Sequence, residues 1–150
     1  MESLLIMILM FGLGILICGI VSYVFMALAL SSAAEIEGID NKWFAWVPLL
    51  NIFMLLKLGN KTSKYIWVFI ATMIVGLLAN YSGSVLIIIV NMVLSIWAIV
   101  IQIQAYSNIS KKYEVKLAWF IVGIFIAPVM MVAFIILYKK VKVKKKHLIN

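Results

Sequence analysis

The chain has 150 residues, 67% of them hydrophobic and 12% charged, with a net charge of +8 and a mean hydropathy of +1.20. So little charge over so much apolar surface excludes a water-soluble domain of this length and predicts a multi-pass protein of the cell membrane. The five acidic residues, Glu2, Glu35, Glu37, Asp40 and Glu114, all fall outside the longest apolar runs, so charge marks the loops.

The first run, MESLLIMILMFGLGILICGIVSYVFMALAL, lacks a basic n-region and exceeds the ~7–15 residues of a signal-peptide core, so it reads as a retained helix. A first span is expected over residues 3–33, longer than the ~20 a bilayer core requires and therefore tilted or protruding. The acidic loop EIEGIDNK closes it.

The next stretch, KWFAWVPLLNIFMLLKLGNK, is apolar but short. Residues 43–58 would rise only about 24 Å as one helix, and Pro48 disfavours helical backbone at Val47 while suiting a first helical position. A half-helix over 48–58 follows, re-entrant or interfacial. Trp43 and Trp46 would sit at the headgroups, Asn51 would need a partner inside the bundle, and Lys57 would snorkel at the far end. A short, thin fifth span is the alternative.

The roughly 42 mostly apolar positions within residues 62–106 would extend about 63 Å as a single helix, twice a hydrocarbon core, so they must fold back. NYSGS, residues 80–84, supplies the turn and leaves spans over 63–79 and 85–106. The polar segment SNISKKYEVK reads as a loop before a last span over 117–138, which Pro128 should kink. Residues 139–150 form a lysine-rich tail. The fold class expected is all-α: a polytopic bundle of four transmembrane helices plus one half-helix, a single domain over 1–138.

Trp46, the Val47-Pro48 step, Asn51 and Leu55-Leu56-Lys57 form a pattern that resembles a group of small bacterial integral membrane proteins of unknown function. The resemblance covers residues 43–137 and implies a helical membrane fold without bringing an activity. A bacterial origin also agrees with the basic residues being thirteen Lys and no Arg, a choice typical of AT-rich coding sequences.

With four spans, the Lys42 to Lys64 region and the Lys111 to Lys116 loop share one face, and the tail lies on the other. The tail lysines Lys139, Lys140, Lys142, Lys144, Lys145 and Lys146 have no acidic neighbours, which favours both termini in the cytoplasm. They should attract anionic membrane lipid at about 1 kcal/mol each near the surface. No aromatic interleaving or basic module supports nucleic-acid binding.

In SVLIIIVNMVLSIWAIVIQIQAY, residues Ser84, Asn91, Ser95, Ala98, Gln102 and Ala105 share one narrow helical stripe. Asn91, Ser95 and Gln102 are either interhelical glue or the lining of a solute path. Gly14, Cys18 and Ser22, with Gly12 and Gly19, offer small-residue packing in the first span.

Catalytic motifs, phosphate loops and metal-ligand spacings are missing, and the one His and one Cys exclude a Cys/His cage. No cofactor or metal is expected. The predicted function is a non-enzymatic accessory, assembly or immunity-type protein binding another membrane protein or a second copy of itself. A small channel or transporter for an ion or solute is the alternative.

Overall fold

Helix α1, Glu2–Ile36, is apolar on every side and runs unbroken for 35 residues, about 52 Å at ~1.5 Å per residue. It stops where Gly38 takes φ 62 and the Ile39 N–H donates to the Ala34 carbonyl at 2.9 Å, a Schellman closure. The computed structural model describes residues 2–149, and among these every regular element is helical. After α1 come a short 3-10 turn, Lys42–Trp46, and α2, Pro48–Leu58; a second turn, Ser63–Tyr65, leads to α3, Ile66–Ser82. Then follow α4, Val85–Tyr113, α5, Leu117–Phe125, and α6, Ala127–Ile149.

Helix α2 starts at Pro48 as expected, with Val47 extended before it. Its path is set by contacts at both ends. Lys42 pairs with Glu35 at 3.6 Å, whereas the Tyr23 hydroxyl donates to the Trp46 carbonyl at 2.7 Å, about 18 Å lower along α1. The chain thus descends from the end of α1 to Trp46. It then climbs back through α2, where Lys57 and Leu58 stand beside Glu37, Asn108 and Lys111.

Helices α3 and α4 form an antiparallel pair around a turn at Gly83, φ 60. Helix α4 does not end near Tyr106. It continues through SNISKKY to Tyr113, because these polar residues find partners on distant segments: Asn108 Nδ2 donates to the Gly59 carbonyl at 2.7 Å, and Lys112 and Tyr113 both reach Glu37. Glu114, at φ 53, terminates it.

Among the described residues three helical segments are long and apolar enough to cross a membrane, Ser3–Ile36, Ser63–Ser82 and Val85–Tyr113. The expected last span over 117–138 is divided. Ile126 is extended at φ −129, ψ 101, Pro128 sits in the first turn of α6, and the chain reverses between α5 and α6. Gly123 makes the reversal tight, since a Cβ there would lie 2.7 Å from the Met130 Cα. The lysine-rich residues are a continuation of α6 and not a separate tail.

Helix α6 runs parallel to α1. Pro128 shares a groove with Cys18, while Lys145 Nζ donates to Glu35 at 2.9 Å, so the order of contacts runs the same way along both helices. Ala29, Leu30, Ala33 and Ala34 of α1 meet Ala133, Phe134, Leu137 and Val141 of α6 in the core. Small side chains let the two backbones approach. Tyr106, Phe120 and Phe134, all nearly inaccessible, lock α4, α5 and α6 together; the Tyr106 and Phe120 rings stack at 4.6 Å.

The packed core therefore lies at one end. At the other, the large apolar side chains of α1 from Leu4 to Ile20 are exposed, as are most of those along α3 and the first half of α4.

Candidate functional site

The packed end is also the charged end. Glu35 accepts from Lys145 and lies 3.6 Å from Lys42; Glu37 accepts from Lys112 and, at 2.9 Å, from the Tyr113 hydroxyl; Glu114 lies 3.8 Å from Lys140. Lys61 Nζ donates to Gln104 Oε1 at 2.7 Å. Burial works to raise the Glu37 pKa, but hydrogen bonds from Lys112 and Tyr113 and the charges of Lys112 and Lys144 outweigh it and hold the carboxyl below the ordinary carboxylate range. The three carboxylates tie the ends of α1, α4 and α6 into one girdle. The tail and the two loops, expected on opposite faces, meet here.

An open basin in this girdle is lined by Glu37, Lys57, Asn60, Asn108, Lys111 and Lys112. Other grooves lie outside it, two of them polar or charged at one edge. One runs between α3 and α4 past Thr72, Gly76, Asn80 and Asn91. The second runs between α1 and α6, with Phe25, Ile135 and Tyr138 beside Lys139, Lys142 and Lys146.

The residues singled out in the sequence are dispersed over these features. Trp46 is exposed and offers its carbonyl to Tyr23. Pro48 opens α2, Asn51 is buried at 6% exposure, and Lys57, in the last turn, stands 5.8 Å from the Phe53 ring centroid. Asn91, Ser95 and Gln102 are half-buried along α4. The Asn91 amide packs across Gly76 of α3, and its oxygen has no hydrogen-bond partner among the described residues. Gln102 approaches the Tyr106 hydroxyl instead.

Of the six α6 lysines, three contact side chains of other segments. Lys140 faces Glu114, Lys144 lies 5.1 Å from the Tyr113 ring centroid, and Lys145 holds Glu35. Lys139, Lys142 and Lys146 enter no ion pair among the described residues. Among the described residues no cluster of three His, Cys, Asp or Glu side chains is placed to hold a metal.

Sequence reasoning overlooked Tyr23, Gly59, Asn108 and Tyr113. A Cβ on Gly59 would lie 2.7 Å from the Ala105 Cα, so this glycine sets how closely α2 meets α4. No local signal marks Tyr23 or Tyr113. Gly59 carries a weak one, standing directly after the apolar run of α2 in LKLGNK.

The chain matches no protein-family model, no curated protein and no solved structure. Fold and site define the class: an all-helical membrane protein with three helices able to cross a bilayer and a lysine-rich, carboxylate-tied end.

Proposed function

We propose that this chain is a non-enzymatic accessory protein of the cell membrane, related to the small bacterial membrane proteins whose Trp-Val-Pro pattern it carries, and that it binds another membrane protein through the first half of α1. The observation that carries this reading is the state of that segment. Leu4 to Ile20 lie open, and a Cβ added at Gly12, Gly14 or Gly19 would meet no atom within 4 Å. A helix with small residues on an open face permits close backbone approach by a neighbour, which is how helices associate in lipid.

The topology that fits this function has three crossings, α1, α3 and α4. The Lys42–Leu58 segment and the α5–α6 hairpin both enter from the lysine-rich end and return to it. With all the lysines gathered there, that end faces the cytoplasm. Because α6 runs parallel to α1, the start of α1 then lies on the opposite side, in place of two cytoplasmic termini.

A channel or transporter is the second reading, favoured by the break at Ile126, which supplies a second interrupted helix beside the one at Pro48. Paired broken helices in transporters usually enter from opposite faces, and both here start from the same end.

Purification from the native membrane in mild detergent, followed by mass and composition of the particle, tests the accessory reading. A stoichiometric second protein, lost in a Gly12→Leu/Gly19→Leu variant that still folds, is the expected result. A particle holding this chain alone, with ion or solute flux in liposomes, would replace it with the second reading.

A further inference from the structure

The groove between α1 and α6 combines two chemistries in a fixed order. Its floor is Phe25 of α1 with Ile135 and Tyr138 of α6, and its rim is Lys139, Lys142 and Lys146. The three lysines recur on one face of α6 at helical spacing and spread over about 10 Å of the axis. All three are exposed and enter no ion pair among the described residues, whereas Lys140 and Lys145 pair with Glu114 and Glu35 and Lys144 lies over the Tyr113 ring. The apolar floor lies toward the membrane end of α6 and the cationic rim toward the charged end. A phospholipid in the leaflet at that end has the same polarity, with phosphate outermost and chains inward.

From this match we propose that the α1–α6 groove is a binding site for one anionic phospholipid, its phosphate held by Lys139, Lys142 and Lys146 and the upper part of a chain laid on Phe25, Ile135 and Tyr138. Three ammonium groups suit a headgroup phosphate as point charges, and the long lysine stems extend the apolar wall beneath it. Charge alone would give a diffuse attraction shared by every lysine at this end. The floor makes the site local. It holds whether or not α1 binds a partner.

The test compares two variants that lose the same charge from the same end. One is Lys139→Gln/Lys142→Gln/Lys146→Gln; the other is Lys64→Gln/Lys111→Gln/Lys116→Gln, whose lysines are exposed and lie outside the groove. Each full-length protein is delipidated in detergent, checked for helicity and monodispersity, and titrated with phosphatidylglycerol or phosphatidylcholine, with one-to-one adducts counted by native mass spectrometry. The groove variant should lose phosphatidylglycerol affinity by roughly tenfold to a hundredfold, and the control by less than about threefold, with phosphatidylcholine binding weak throughout. Equal losses in both variants, or none in the groove variant, would overturn the site. Should the groove variant not fold, Ile135→Ser serves instead: it keeps every charge and should still lower phosphatidylglycerol retention, and unchanged retention would count equally against the proposal.

Discussion

Gly59 and Gly123 do different work from the glycines of α1. At Gly59 and Gly123 a Cβ would strike the backbone of a neighbouring helix at 2.7 Å, whereas at Gly12 it would strike nothing. Gly59→Leu or Gly123→Val should therefore destabilise the fold by about 1–3 kcal/mol through overpacking, read as a lower unfolding midpoint in detergent. Gly12→Leu should leave that midpoint nearly unchanged. Glu37 gives a residue-scale prediction in pH. Its pKa is held below the ordinary range in the fold, so its contribution is present above the unfolded-state value and is lost as pH falls through the lowered one. Thermal melts of the wild type should thus decline in strong acid, and Glu37→Gln should flatten that part of the profile.

At the scale of elements, α5 offers an internal comparison. Phe120 is fully buried against Tyr106 and Phe134, while Phe125, one turn further along, is 79% exposed. Phe120→Ala should cost about 3 kcal/mol, and Phe125→Ala little, in chemical unfolding followed by helicity. How much of this was legible in the sequence depends on the range of the physics involved. The start of α2 at Pro48 was readable because proline acts on its own and the preceding residue. The turn at Gly83 was readable because a positive φ selects glycine. The full reversal at Ile126 was not. Pro128 announces a kink, but folding back requires Gly123 to admit Met130 and Phe120 to find Phe134 and Tyr106, and those are tertiary facts. The length of α4 was hidden for the same reason: SNISKKY reads as a loop until Gly59 and Glu37 supply its partners.

For the whole molecule, the reversal decides the topology. An uninterrupted last span would carry Lys139 to Lys146 to the face opposite Lys111 and Lys116, leaving lysines on both sides. The α5–α6 hairpin returns them to Glu114 and Glu35, so charge and packed core coincide at one end while α1 and the α3–α4 pair project from the other. Asn51 in an apolar stretch and the run of lysines after the last apolar segment stand out by composition and spacing. The division of those lysines into an engaged and a free-standing set does not, because it depends on where two distant carboxylates and one tyrosine come to rest.

The most direct test of this arrangement is single-cysteine labelling in a Cys18→Ala background, with cysteines placed in turn at Ser82, Lys116 and Lys146 and a membrane-impermeant thiol reagent applied to sealed vesicles of each orientation. Lys116→Cys and Lys146→Cys should label from the same face, with Ser82→Cys labelling from the other. Labelling of positions 116 and 146 from opposite faces would restore the continuous last span and contradict the proposed three-crossing topology.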